Sequence, residues 1–256
     1  TYGTNGFYLP FKQDYTVEGF SATTYTGTGN GAVPRSIGGV GFQPDLIWWK
    51  QRFRPSGSPD GHIIMDAVRG TGTGKWISSD QTSAEGIFSS NANITSLDTD
   101  GFTIGATSGG NALNGTGYAC VAWCWDMGGS NATNTNGTIT STVRANPTYG
   151  QSIVSYTGTQ SNDTVGHGLS SVPEMIIVKN RTNATQWIVL HKDLAVDYET
   201  DYVALNTTAA AADDIRIWND TKPTASLFTV GIENDVNKLN SSYIAYCFHS
   251  VTGYSK

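Results

Sequence analysis

The sequence predicts an all-β protein built from two tandem homologous β-sandwich modules, jelly-roll or lectin-like, with very little helix. The composition favours strands and turns, because the chain of 256 residues contains 30 Gly, 7 Trp, 12 Tyr and 9 Phe. Short runs of β-branched and aromatic residues recur between Gly, Pro, Asn and Asp, which is the pattern of β-strands joined by turns. The sequence also repeats itself, and this repetition predicts two related modules.

Six blocks of the first half recur in the same order in the second half. Residues 44–52 recur as residues 173–181, and residues 121–125 recur as residues 244–248. A repeat of about 110 residues is much longer than the periods of solenoids and propellers, so each copy is a domain-sized unit. The sequence leaves open whether the copies form separate sandwiches or share one sheet system. The predicted divisions are a lead-in at 1–14, a first repeat at 15–128, a Gly/Asn/Thr-rich linker at 129–149 and a second repeat at 150–256. Residues 139–150 either pair with a sheet or continue the linker.

Individual elements follow from local patterns. The clearest predicted strands lie at residues 46–50, 175–179, 187–190 and 243–248. Residues 46–49 (LIWW) are apolar without alternation, which predicts a strand covered on both faces. Residues 207–214 contain four consecutive alanines and predict one or two turns of helix.

Charge and hydropathy exclude two classes of partner. The net charge of −6 argues against nucleic-acid binding, which depends on neutralising phosphates. No apolar run approaches the roughly 20 residues that span a bilayer. We therefore expect neither a nucleic acid nor a membrane as partner.

The three cysteines predict buried free thiols. Cys120 and Cys124 lie on one predicted strand, about 13 Å apart, which is too far for a disulfide. Together with Cys247 they are best interpreted as small core residues, and this usage fits folding in a reducing cytoplasm. No histidine lies at metal-ligand spacing from them, so no metal or cofactor is predicted.

Candidate catalytic groups are few, and the sequence predicts that the protein is not an enzyme. Glu199 and Asp201 have the spacing of paired carboxylates on a strand, as in β-sandwich glycosidases, but the next position of that pattern is Ala204. The glycine-rich residues 69–76 lack the Ser or Thr of a phosphate-binding loop. Residues 98–101 lack the distant Glu of a calcium loop and predict a tight turn.

Three aromatic residues are candidates for stacking on a glycan. Trp76, its copy-equivalent Tyr202, and Trp218 lie beside polar, turn-rich sequence. Planar rings on an exposed β face can stack on sugars while neighbouring polar groups bind the hydroxyls. For Trp76 and Trp218 the favoured interpretation is packing in the core or at its rim, and glycan stacking is the alternative.

Several motifs together resemble a known family. They lie at residues 2–11, 42–50, 66–70, 121–125, 165–169, 218–221 and 243–248. These motifs resemble a repeat of virion structural proteins, tail-fibre or capsid-associated, of tailed bacteriophages of aquatic bacteria. The resemblance implies a β-rich module on a phage particle, and it carries over no catalytic residues.

We therefore expect a non-enzymatic virion protein, folded in the host cytoplasm and located in the extracellular particle, for particle architecture, host-surface attachment or both. Expected partners are other virion proteins and further copies of the chain, three if it forms a fibre, with a host-surface glycan as a further candidate. We also expect a processed product or a piece of a longer polypeptide. The alternatives are a carbohydrate-binding, lectin-like module and, third, a glycan hydrolase that uses Glu199 and Asp201.

Overall fold

The computed structural model describes residues 18–29, 33–58, 61–86, 94–106 and 113–255. Within these ranges the protein is all-β, with antiparallel sheets and two helices of four residues each. The predicted lead-in at 1–14 lies outside the described residues. The strands of the first half are β1 (Phe20–Thr26), β2 (Arg35–Gly38), β3 (Leu46–Phe53), β4 (His62–Asp66), β5 (Ile77–Ser78), β6 (Ile94–Asp98), β7 (Gly101–Ile104) and β8 (Ala119–Trp125).

The second half contains ten strands and both helices of the described chain. They are β9 (Ala132–Asn134), β10 (Ser141–Asn146), β11 (Gln151–Thr157), β12 (Asp163–Gly166), β13 (Met175–Asn180), β14 (Trp187–His191), β15 (Asp201–Ala204), β16 (Ala212–Asp213), α1 (Ile215–Trp218), β17 (Leu227–Val230), α2 (Asn234–Asn237) and β18 (Ser242–Phe248). We refer to β1–β8 as the first unit and to β9–β18 with the two helices as the second unit.

The two units have the same sheet topology. The main sheet of the first unit has the order β1-β8-β3-β4-β5, and the main sheet of the second contains β11-β18-β13-β14-β15 in the equivalent order. The registers also agree: Tyr25 pairs with Cys120 across β1 and β8, and their equivalents Tyr156 and Tyr243 pair across β11 and β18. The shared order and register show that the two halves are copies of one unit, with separate main sheets.

Each unit has two layers with an apolar core between them. In the first unit, a sheet of β2, β7 and β6 contributes Ile37 and Phe102 to a core with Trp49 of the main sheet. In the second unit, β12, β17 and the two helices take the corresponding place, with Phe228 and Trp218 in the core. All three cysteines are buried and free, which confirms the prediction of free thiols.

The remaining faces of the two main sheets pack against each other. This third core contains Leu46, Ile64, Ile77, Ile177, Val189 and Tyr246. On β3, Leu46 belongs to the core between the units, whereas its neighbour Ile47 belongs to the core inside the first unit. The prediction that residues 46–49 form a strand covered on both faces is therefore confirmed.

Two sequence-based expectations need correction. The predicted linker at 129–149 contains the strand β9, which pairs with β10. Of the two alternatives for residues 139–150, pairing with a sheet is the one found, since β10 pairs with β11 and Ser141 and Val143 alternate inward as a strand requires. Residues 207–214 contain β16, which pairs with β15, and α1 begins only after its N-cap Asp214. An alanine run with no apolar stripe to bury gains little from forming an isolated helix. Within the described residues, no helix is long and apolar enough to span a membrane.

Candidate functional site

A cleft of about 390 Å³ opens between the two units. Its walls come from β1, β3, β4 and β8 of the first unit, from β11, β13, β14 and β18 of the second, and from the chain after β18. Half-buried aromatic rings dominate these walls. The rings are those of Phe20, Trp48, Trp125, Tyr149, Phe248 and Tyr254.

The cleft is formed by equivalent faces of the two copies. Trp125 ends β8 and pairs with Leu46, and its equivalent Phe248 ends β18 and pairs with Met175. All four side chains line the cleft. Alternate residues of a strand point to the same face. The cleft is therefore built by the same face of each main sheet, the one that points away from the core of its own unit.

The aromatic walls are held in place by contacts with one another and with polar groups. The Nε1 of Trp48 donates to Nδ1 of His62 at 3.1 Å, and the rings of Phe20 and Trp125 lie 5.1 Å apart. The rings of Tyr149 and Tyr254 lie 5.0 Å apart. A site whose walls are already ordered loses little conformational entropy when a ligand binds.

One carboxylate faces this aromatic space. Glu174 accepts hydrogen bonds from the Oγ of Ser250 at 2.9 Å and from the Ser250 backbone N–H at 3.1 Å, and each carboxylate oxygen retains further acceptor capacity. His191 also lines the cleft, and its Nδ1 accepts from the backbone N–H of Asp193 at 3.2 Å. Among the described residues of the lining, neither Lys nor Arg is present.

Two further carboxylates lie close to one end of the cleft. Burial, a hydrogen bond with Glu18, and the charges of Glu18 and Asp126 raise the pKa of the Tyr149 hydroxyl. Burial raises the pKa of Tyr254 to about 12, and Asp126 adds to this effect. Negative charge therefore lies beside Tyr149 and Tyr254 at this end of the cleft.

Next to the cleft, a buried ionic network joins the two units. Arg69 of the first unit donates from Nε to Asp66 at 2.5 Å and from Nη1 to Glu85 at 3.2 Å. Arg181 of the second unit donates to Glu85 at 2.9 Å, and the Tyr246 hydroxyl donates to Asp66 at 2.7 Å. Burial and the Asp66 charge hold the pKa of Tyr246 well above its ordinary value.

The glycan-stacking residues predicted from the sequence do not form an exposed platform. Trp76 is 2% exposed and Trp218 is 1% exposed, and they lie in the cores of different units. Tyr202 is partly buried against the core of the second unit, and none of the three lines the cleft. Both tryptophans are therefore core residues.

The other predicted features are structural elements. Asp98 and Gly101 pair across the predicted tight turn between β6 and β7, and the Asp100 carboxylate accepts from the N–H groups of Gly39 and Gly41. Glu199 lies 3.5 Å from the Lys222 ammonium, and neither it nor Asp201 lines the cleft. Within the described part of the chain, no group of three or more His, Cys, Asp or Glu is arranged to hold a metal ion.

The comparison with known families covers nearly the whole chain. Residues 16–256 match the family model described as Domain of unknown function (DUF7483). The chain belongs to the DUF7483 family. Because the match extends over both units, a DUF7483 domain comprises the pair of copies and not a single copy. No curated protein and no solved structure matches the chain.

The cleft of this DUF7483 domain was not predicted from the sequence. The uninterrupted apolar run at residues 46–49, which contains Trp48, predicted only a strand covered on both faces. The cleft forms where the outward faces of two distant segments meet, and no pattern within one segment indicates that contact.

Proposed function

We propose that this DUF7483 domain is a non-enzymatic structural protein of a bacteriophage virion that serves particle architecture and host-surface attachment. The motif resemblance supports the viral assignment. We further interpret each unit as a jelly-roll- or lectin-like β-sandwich, in line with its two layers around one core.

The observation that carries the proposal is the packing of the two units through equivalent faces. An apolar core and a buried ionic network join the main sheets, so the pair forms one block rather than two beads on a linker. The charged side chains Asp66, Arg69 and Glu85 are engaged in holding this block together. Such use of buried charge favours an architectural role over a catalytic one.

The partners that we propose are other virion proteins and further copies of the chain, in a trimer if the protein forms a fibre. Many copies on one particle would multiply weak contacts with a host surface, because avidity exceeds single-site affinity by roughly 10²–10⁴. The proposed location is the extracellular particle. Carbohydrate stacking on Trp76 and Trp218 is not part of this proposal, since both rings are buried.

The assignment is tested on particles of the phage that carries this gene. Antibodies raised against the recombinant chain are applied to purified particles, and labelling is imaged beside particles treated with pre-immune serum. We expect labels at regular positions on the particle surface and peptides of the chain in the particle's mass spectrum. A chain that is made during infection but is absent from purified particles would overturn the proposal.

The absence of enzymatic activity is tested separately. The chain is incubated with host polysaccharide, and newly formed reducing ends are measured. We expect no release above a boiled sample. Release that is lost in Glu199→Gln would instead establish hydrolysis by the Glu199 and Asp201 pair.

A further inference from the structure

We propose that the cleft between the two units is a binding site for a small organic cation, a substituted ammonium group. This site is independent of the virion assignment, because it follows from the walls and charge of the cleft alone. The occupant is defined by its chemistry: a positive charge spread over alkyl groups and small enough for a cleft of about 390 Å³.

The walls favour a cation because aromatic faces attract positive charge. A ring carries negative charge on its face, and a cation within about 6 Å of the ring centre is attracted to it. Trp48, Trp125 and Phe248 line the cleft together and leave part of each ring exposed. An alkylated ammonium also buries apolar surface against such walls, which a compact inorganic cation cannot do.

The charges favour a cation over an anion. Glu174 lines the cleft, and neither Lys nor Arg does so among the described lining residues. The nearby Lys192 ammonium lies outside the lining and is bound to Asp193 at 2.9 Å. It interacts with Glu174 through its charge, and its backbone N–H donates to the Glu174 carbonyl. Glu18 and Asp126 add negative charge near Tyr149. An anion would meet no compensating charge in this lining, whereas an ammonium group would meet a carboxylate.

A neutral sugar fits the cleft less well. Sugar hydroxyls need several hydrogen-bonding partners when they are buried. The lining is mostly aromatic and aliphatic, and its polar residues are Gln151, Glu174, His191, His249, Ser250 and Ser255. Gln151, Glu174 and His249 already form hydrogen bonds with other protein groups. An alkylated ammonium has few such requirements. A carbohydrate is therefore an outcome that the test must detect, and not the occupant that we propose.

The test is calorimetric titration of the whole chain with choline and with tetramethylammonium. The neutral isostere of choline, in which carbon replaces the ammonium nitrogen, is titrated in parallel. We expect both cations to saturate one site and choline to bind about tenfold more tightly than its isostere. Equal affinity for the isostere, or no saturable binding of either cation, would overturn the proposal.

Two variants with matched controls locate the site. Glu174→Gln removes the charge and keeps one acceptor oxygen for the Ser250 backbone N–H, while its amide nitrogen can donate to the Ser250 Oγ. We expect choline affinity to fall by about fivefold. Its control is Asp213→Asn, which removes one charge from the exposed strand β16. Phe248→Leu should also weaken binding, whereas Phe53→Leu, at a 57% exposed phenylalanine, should leave it unchanged.

The outcomes separate this inference from the proposed function. Choline affinity that is unchanged in both Glu174→Gln and Phe248→Leu would place the bound cation elsewhere and overturn the inference. Saturable binding of methyl glucoside without binding of choline would identify the cleft as a carbohydrate site instead. Neither result bears on whether the chain is present in virions, which the labelling experiment decides.

Discussion

The Tyr246 hydroxyl of the second unit donates a hydrogen bond of 2.7 Å to the Asp66 carboxylate of the first unit. The copies of these two residues do not repeat the contact, because the equivalent of Tyr246 is Trp123 and the equivalent of Asp66 is His191. His191 faces the cleft instead. The two main sheets therefore use equivalent faces for their contact, but the polar residues in that contact differ between the two copies.

Removing this hydroxyl tests its contribution to the joined units. In Tyr246→Phe the ring keeps its packing, but Asp66 loses one of its buried donors. A hydrogen bond to a charged group contributes about 1.5–3 kcal/mol, so we expect the free energy of unfolding in urea to fall by about that amount. Tyr202→Phe, at a half-exposed ring, is the control and should unfold close to the wild type. An unchanged Tyr246→Phe variant would show that water replaces the hydroxyl.

Arg69 contributes more than Tyr246 because it is the buried cation of the network. In Arg69→Met, Asp66 stays buried and loses its ion pair, although Glu85 retains Arg181. Breaking a buried pair in this way costs about 3–5 kcal/mol, which urea unfolding monitored by tryptophan fluorescence would measure. The control is Arg216→Met, where an exposed arginine pairs with Asp214 and Glu233 and little stability should be lost. Equal losses of stability in Arg69→Met and Arg216→Met would contradict the conclusion that Arg69 is the buried cation of the network.

Because His167 is buried, we expect the free energy of unfolding to depend on pH. Burial lowers its pKa below the ordinary 6.5, and the neutral ring bonds Thr224 through Nε2 and Leu169 through Nδ1. The unfolded chain takes up a proton below that ordinary value while the folded chain does not. The free energy of unfolding should therefore fall as the pH decreases from about 6.5 towards the lowered pKa.

The comparison with His167→Gln isolates this residue from the other titrating groups. The free energies of unfolding of both proteins are measured in urea at about pH 7.5 and about pH 5. We expect the free energy of unfolding to fall more in the wild type than in His167→Gln when the pH is lowered. A difference that is the same at both values would contradict the buried, neutral histidine.

The sequence predicted local features well where one strand decides them. Leu46 and Ile47 are both apolar because β3 has a core on each side, and the three thiols are buried as their apolar neighbours indicated. The repeated blocks predicted the equivalent order of strands in the two main sheets. These features depend on the spacing of apolar residues and on the order of the repeated blocks, and both can be seen directly in the sequence.

Features that depend on contacts between distant segments were not predicted. The composition of residues 129–149 left open whether their last part pairs with a sheet, and the pairing with β11 is what makes β10 a strand. Burial of Trp218 was favoured over glycan stacking, but its place in the core of the second unit depends on distant segments. The cleft joins Trp48 to Phe248, and no local pattern records that the outward faces of two sheets meet.

Lys179 provides a second pH test, at the contact between the units. Its ammonium is fully buried and donates to the carbonyls of Asn180 at 2.7 Å and of Thr82 in the first unit at 3.2 Å. Burial lowers its pKa from the ordinary 10.5 to about 8, against the opposing charge of Asp235. Between these values the folded chain releases a proton that the unfolded chain retains, so stability should rise with pH.

The expected rise is large enough to measure against a variant without the amine. Between about pH 7.5 and about pH 9.5, the free energy of unfolding of the wild type should increase by about 2 kcal/mol relative to Lys179→Met. Lys192→Met removes an exposed ammonium on the neighbouring strand end, and it should keep the wild-type rise. If wild type and Lys179→Met instead change in parallel, the ammonium is solvated and the units are less tightly packed around Thr82 than the structure shows.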